Sequence, residues 1–273
     1  MKGRRALLLL LLIAAIAAAA FAWVQNRQFD RRILALRDTV LSDASQAAGS
    51  PDLPAIVRDF AIRNGGRVGA SSPIHLTHRA RLSTAAGRPP IDITADQWLS
   101  PTTSGMVWYG RGAMFGIPVS VVDSIVGSKG LLEARLLGTV TVAKGEGGDF
   151  DKGELQRYLS ELPLHPDAIL NNAGLAWRQI DDETVEVADG TASVRFTFDS
   201  GGDITGMRAD DRPMTVGSRT VPTPWVGTYS EYRSFGPYRI PSFGEVGWAL
   251  PEGTFSYWKG TVTNYEVTDS RGN

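Results

Sequence analysis

Beyond Ser71 the chain alternates with period two, run after run, and no other feature narrows its fold as far. Ile74, Leu76 and His78 alternate with His75, Thr77 and Arg79, the pattern of a strand with one buried face. Similar β-rich runs follow at 91–99, 106–115, 117–126 and 131–142. They resume at 175–181, 184–188, 192–198, 205–209, 225–233, 238–249 and 254–267. Turn chemistry falls between them at Asp189-Gly190, Ser200-Gly201-Gly202-Asp203, Phe235-Gly236-Pro237 and Pro251-Glu252-Gly253. No crossover helices separate the runs, which excludes a doubly wound α/β fold. The pattern predicts about eleven or twelve strands in a mostly antiparallel meander. So many strands must twist and curl, so the expected class is mainly β (α+β), a long curved antiparallel sheet forming a half-barrel or open barrel.

One helix interrupts the meander, at 151–162. Asp151 and Glu154 stand at the three-residue spacing of a capping box, and Leu155, Tyr158, Leu159 and Leu162 form an apolar stripe. The stripe has to be buried, and the largest apolar surface on offer is the concave face of the sheet. The helix is therefore expected to plug or lid that face.

The first residues are a segment apart. After Lys2, Arg4 and Arg5, residues 6–24 carry no charge and are mostly Leu, Ile and Ala, long enough as a helix to cross a hydrocarbon core of roughly 30 Å. Ala20-Phe21-Ala22 offers a cleavage pattern, but the run exceeds the ~7–15 residue core of a removable signal peptide. The expectation is a retained anchor with its N-terminus in the cytoplasm and the bulk of the chain outside the membrane. Residues 1–24 are read as anchor, 25–70 as a helical stalk plus a short helix, and 71–273 as the β domain. The stalk is expected from Gln25 to Ser50, with Phe29, Ile33, Leu36, Val40 and Leu41 on one face, ending at Ala48-Gly49-Ser50-Pro51. The short helix spans 53–63, capped by Asp52 and stopped by Asn64-Gly65-Gly66. Packing accounts for both stripes.

Composition removes several function classes. With no cysteine in 273 residues, disulfides, zinc–thiolate sites, iron–sulfur clusters and thiol nucleophiles are excluded. The formal charge of -1 argues against nucleic-acid binding, which needs a basic surface. Without the three basic residues of the leader, 25 basic face 29 acidic residues and the exported part carries -4.

No catalytic motif stands out, and no metal or cofactor is expected. Asp149-x-Asp151-x-Gly153-Glu154 fails as a calcium loop because glycine sits at its fifth position and glutamate at its sixth. His75-x-x-His78 in a strand sends its rings to opposite faces. Gly110-x-Gly112-x-x-x-Gly116 lacks the dinucleotide spacing. Asp123, Glu133, Glu231 and Glu245 lie in or beside strands, where a hydrolase could use a pair. Arg111 and Arg135, in otherwise apolar strands, could bind an anionic headgroup or pair with those acids. The last fifty residues are rich in aromatics, among them Trp225, Tyr229, Phe243, Trp248, Tyr257 and Trp258. Such a stripe serves as core more often than as ligand site, yet an aromatic floor beneath a lidding helix also builds an apolar-ligand cavity. The candidate binding residues are Arg111, Arg135, Leu155, Leu159, Trp225, Trp248 and Trp258.

Three stretches carry a resemblance. Leu53-Pro54-Ala55-Ile56-Val57-Arg58-Asp59-Phe60 is the first, and Leu136-Leu137-Gly138 through Gly153-Glu154-Leu155-Gln156-Arg157-Tyr158-Leu159 the second. The third and most specific runs from Pro224-Trp225 through Arg239-Ile240-Pro241 and Gly244-Glu245 to Phe255-Ser256-Tyr257-Trp258-Lys259-Gly260. Over about residues 53–267 the chain resembles an uncharacterised bacterial domain of unknown function found in membrane-associated proteins. It departs where members carry a Trp-Phe-Pro run and this chain has Pro163-Leu164-His165-Pro166. The pattern is also similar at fold level to lipoprotein-carrier half-barrels. The resemblance implies architecture and envelope location without a reaction. The expectation is a membrane-anchored, extracytoplasmic, non-catalytic binding domain for an apolar ligand, a lipid. The alternatives are an envelope hydrolase with paired carboxylates and an assembly or interaction module of unidentified protein partners.

Overall fold

In the computed structural model, residues 2–42, 52–217 and 219–268 are described; the predicted stalk end at 48–51 lies outside them. Thirteen strands form one sheet in the spatial order β6-β5-β4-β3-β2-β1-β13-β12-β11-β10-β9-β8-β7. They are β1 Ile74–Leu82, β2 Ile91–Leu99, β3 Met106–Met114, β4 Ile117–Val126, β5 Lys129–Leu136, β6 Val140–Glu146, β7 Ala176–Gln179, β8 Thr184–Asp189, β9 Ala192–Phe198, β10 Ile204–Val216, β11 Arg219–Phe235, β12 Tyr238–Leu250 and β13 Gly253–Val267. Every neighbouring pair is antiparallel. The chain enters the sheet at its middle, meanders to the β6 edge, crosses over to the β7 edge, and returns to pair β13 with β1. The sheet curls into a half-barrel, mainly β as the periodicity predicted.

The crossing segment consists of α3 Asp149–Ser160, a 3-10 turn at Leu162–Leu164 and α4 Pro166–Asn171. It fills the concave side together with α2 Ala55–Arg63. Tyr158, Leu159, Leu162, Ile169, Val57 and Phe60 are buried there against Ile74, Leu76, Leu99, Met106, Phe196, Tyr238 and Tyr265. On the convex side lies α1 Lys2–Ser42, one continuous helix. Its Phe29, Ile33 and Val40 bury themselves on Val107, Val122 and Leu131, with Leu36, Trp98 and Tyr109 at the margin. The stalk stripe thus packs on the sheet, and the preceding apolar stretch stands exposed, the one described helix long and apolar enough to cross a membrane.

Local expectations fail at three places, each for a physical reason. The run 131–142 is two strands, because Leu137 and Gly138 both adopt positive φ (51° and 66°) and reverse the chain. The short helix is capped at Pro54, with no side-chain bond from Asp52. The capping box of the inserted helix does not form either. The helix starts two residues early, at Asp149 behind Gly148. Asp151 Oδ1 instead accepts the Gly130 N–H of β5 at 2.7 Å, and Glu154 is buried elsewhere.

Glycine makes the docking of α3 possible. A Cβ on Gly145 would lie 2.0 Å from the Phe150 ring, which covers that point of β6. Gly145→Val is expected to displace Phe150 and loosen the first turn of α3, costing about 1–3 kcal/mol; thermal unfolding followed by circular dichroism measures it.

Candidate functional site

The helix α3 spans the two arms of the half-barrel, touching β4 to β6 on one side and β8 to β10 on the other. Its two faces do different work. Leu155, Tyr158, Leu159 and Leu162 turn into the core. Phe150, Glu154, Arg157 and Glu161 recur at i, i+4, i+7 and i+11 and so share the other face. That face closes a cavity of about 350 Å³ against the sheet.

The walls are largely aromatic and aliphatic. Trp225, Trp248, Tyr257, Trp258, Phe243, Val246 and Val262 come from β11 to β13, and Trp108, Val121, Leu132 and Leu82 from β1 to β5. The register explains the convergence: Trp225 faces Trp248 across β11–β12, and Val246 faces Trp258 across β12–β13, so their side chains share one surface. Trp248 and Tyr257 stack with ring centroids 5.9 Å apart, and Trp225 Nε1 donates to the Tyr257 hydroxyl at 3.1 Å. The C-terminal aromatic stripe is therefore divided. Phe235, Tyr238 and Tyr265 belong to the core, Trp248 and Trp258 line the cavity, and the buried Trp225 belongs to both.

Under the helix lies a buried charged network. Arg157 donates to Asp123 of β4 and, at 3.1 Å, to Glu161, which also accepts from Gln97 of β2. Arg212 of β10 donates to the Gly153 carbonyl and lies 3.7 Å from Glu154. Both guanidinium groups lie over indoles, Arg212 at 4.2 Å from the Trp225 centroid and Arg157 at 5.2 Å from that of Trp108. Burial and then the Asp123 charge push the Glu154 carboxyl well above its ordinary range. Burial also opposes the charge of Asp123, but Arg157, with help from Glu154 and Arg212, outweighs it and holds that carboxyl low. Asp123 Oδ1 and Glu154 Oε2 are buried with no hydrogen-bond partner among the described residues, and the opposite directions of the two carboxyls make Glu154 the group of the pair that keeps its proton beside an ionised Asp123. Burial raises the Glu161 carboxyl too, against the pull of Arg157 and the Gln97 hydrogen bond. Neutral His78 adds to the floor: burial, then the Arg157 charge, lowers its pKa to about 4. Trp108 Nε1 has no acceptor among the described residues.

The residues singled out from sequence fall in three places. Trp225, Trp248 and Trp258 meet in the cavity wall. Leu155 and Leu159 lie on α3 but turn to the core. Arg111 and Arg135 are on the convex face, Arg111 paired with Asp96 and Arg135 paired with Glu133 above the Phe29 ring of α1. Of the four carboxylates considered, Asp123 and Glu245 line the cavity, Glu245 paired with Lys259 at 3.1 Å, while Glu133 is sealed under α1 by Arg32 and Glu231 is exposed. The partner of Asp123 is Glu154. Sequence reasoning missed Glu154, Arg157, Glu161 and Arg212 as site residues; the spacing of the first three on one helical face was the available signal. Among the described residues no group of three or more His, Cys, Asp or Glu is placed to hold a metal ion.

A family model described as a family of unknown function (DUF6544) matches residues 43–260. No curated protein matches the chain. Among solved structures it is similar to a domain from Vibrio parahaemolyticus described as an outer membrane lipoprotein-sorting protein, 10% identical over 78% of this chain and 91% of that one, with a TM-score of 0.46. It is also similar to a LolA superfamily protein from Nitrosomonas europaea, 11% identical over 80% of this chain and 95% of that one, with a TM-score of 0.43.

Proposed function

The chain belongs to this family of unknown function, DUF6544, and we propose that it is a membrane-anchored extracytoplasmic domain that binds a lipid without transforming it. Residues 1–24 serve as the anchor, 25–70 connect it, and 71–273 hold the ligand. The observation that carries the reading is the cavity: aromatic walls from three successive strands, closed by a helix whose Arg157 is engaged by Asp123 and Glu161 and whose Glu154 lies beside Arg212. Its volume of about 350 Å³ lies in the range of small-molecule pockets. The indoles of Trp248 and Trp258 offer apolar contact, and the charged groups under the helix, Asp123, Arg157 and Glu161, are engaged with one another. An amphiphile whose apolar part takes the aromatic wall fits that lining.

Native mass spectrometry of the detergent-extracted full chain is expected to show a lipid-sized adduct. Trp248→Ala should weaken its retention about ten-fold or more, the equivalent of one buried aromatic contact of roughly 1.5–3 kcal/mol. An adduct-free wild-type spectrum, from protein that is folded by circular dichroism, removes the reading. A second reading, a hydrolase, is favoured by two carboxyls lining one cavity, Asp123 held low and Glu154 pushed up, since a neutral acid beside an ionised carboxylate is an acid–base pair. Turnover of a glycan or ester by the wild type, abolished by Glu154→Gln with the fold intact, would establish it.

A further inference from the structure

We propose that the body docks on the bilayer surface through its hairpin tips, so that the cavity faces the lipid from which its ligand comes; this rests on the anchored reading above. The direction of α1 carries the argument. Its Asn26 side chain lies at the β5–β6 turn, where a Cβ on Gly138 would meet it at 2.4 Å. Val40, near the other end of the helix, lies against Gly105 at the opposite end of the sheet, 3.6 Å from a Cβ placed there. The helix therefore runs along the convex face away from the β5–β6 turn, and its apolar stretch leaves the body past that turn. The uncharged run ends at Val24, two residues before Asn26. At 1.5 Å per residue the edge of the hydrocarbon core is thus within roughly 5 Å of the tip. Trp23 sits there with the Arg27 guanidinium 5.5 Å from its ring centroid, the kind of aromatic and basic pair that marks a membrane–water boundary.

Antiparallel alternation brings the β3–β4, β5–β6 and β10–β11 turns to this same end, and the Leu137 N–H bonds the Pro118 carbonyl of the neighbouring hairpin at 2.9 Å. These tips carry large apolar side chains with nothing over them: Phe115 is 82% exposed, Leu137 58%, Val140 57% and Val216 52%. Isolated exposed hydrophobics need no explanation, but Phe115, Leu137 and Val140 on two adjoining tips at the exit of an apolar helix do. A lipid surface is the partner that the helix itself brings to that position. Part of the cavity lining, Leu82, Thr215, Thr220, Trp248 and Trp258, lies near these turns. Docking thus brings that part of the lining toward the bilayer.

The chain contains no cysteine, so single-cysteine labelling is unambiguous. Phe115→Cys, Leu137→Cys, Ile13→Cys and Val68→Cys are made in the full chain, labelled with an environment-sensitive fluorophore, and reconstituted into phosphatidylcholine–phosphatidylglycerol vesicles containing spin-labelled acyl chains. Val68, 73% exposed, stands beside Arg67, which bonds Tyr238 at the opposite end. The expected result is blue-shifted, quenched emission at 13, 115 and 137 and unquenched emission at 68. Quenching at 13 alone overturns the docking and leaves the anchor intact. No quenching at 13 removes the anchor, and the docking with it.

Discussion

Replacing Arg157 with methionine is expected to destabilise the body by about 3–5 kcal/mol, because it strands the buried carboxylates Asp123 and Glu161 without their counter-ion. Both accept hydrogen bonds from Arg157, and Arg157 itself covers the Trp108 face. Burial disfavours the guanidinium charge, but the Asp123 and Glu161 carboxylates outweigh burial and keep it protonated. For a domain of this size each kcal/mol moves the melting temperature by about 2–4 °C, so the midpoint should fall by about 10 °C. Arg111 supplies the contrast. Its bond to Asp96 is on the convex surface with the arginine side chain 53% exposed, and Arg111→Met should cost less than about 1 kcal/mol. Urea unfolding of the two variants in the same detergent compares them directly. Equal effects would mean that the network under α3 is wet and screened, and with it the enclosed cavity would have to be given up.

The fold was legible because strand alternation is a local signal. Runs such as 91–99 and 117–126 coincide with β2 and β4, and Asp189-Gly190 and Pro251-Glu252-Gly253 fall at hairpin turns. The misreading of 131–142 was local too: Leu137 is an unusual residue for positive φ, and Leu-Leu-Gly reads as the continuation of a strand. The site divides along a different line. Trp225, Trp248 and Trp258 could be found because successive hairpin strands bring neighbours in sequence together in space. The charged floor could not. Asp123 and Arg157 are 34 residues apart, and Arg212 and Gly153 are 59 apart; only the closure of the sheet across α3 makes them neighbours. Glu154 shows the conflict most plainly, since its spacing from Asp151 satisfies the capping-box rule and says nothing of Arg212. The same helix misled in its apolar stripe. A lid that shows an apolar face to its cavity would put Leu155 and Leu159 on the ligand, whereas these leucines complete the core.

Glu154→Gln is expected to remove one component of the pH dependence of stability and to leave the fold in place. In the folded protein burial, then the Asp123 charge, raises the Glu154 carboxyl well above its ordinary value of 4.5, so it holds a proton that the unfolded chain releases. Its contribution is fully present below the unfolded value and is lost as pH rises through the folded one, at up to about 1.4 kcal/mol per pH unit. Glutamine cannot ionise and still offers an N–H donor to Asp123 where neutral Glu154 offered O–H. The variant should therefore match the wild type near pH 4 and exceed it increasingly from pH 5 to 8. His78 acts with the opposite sign. Its pKa is lowered by burial to about 4, so its contribution is present above its ordinary value of 6.5 and is lost as pH falls toward 4. Glu154 is not among the groups that shift His78; that histidine term is common to both proteins and cancels in the difference between them. Urea midpoints of wild type and variant, taken at half-unit pH steps, isolate the glutamate. Parallel curves from pH 5 to 8 would show that Glu154 is ionised in the fold. The neutral Glu154 would then be wrong, the floor of the cavity would carry one more negative charge, and its ligand would have to be sought among cations rather than neutral amphiphiles.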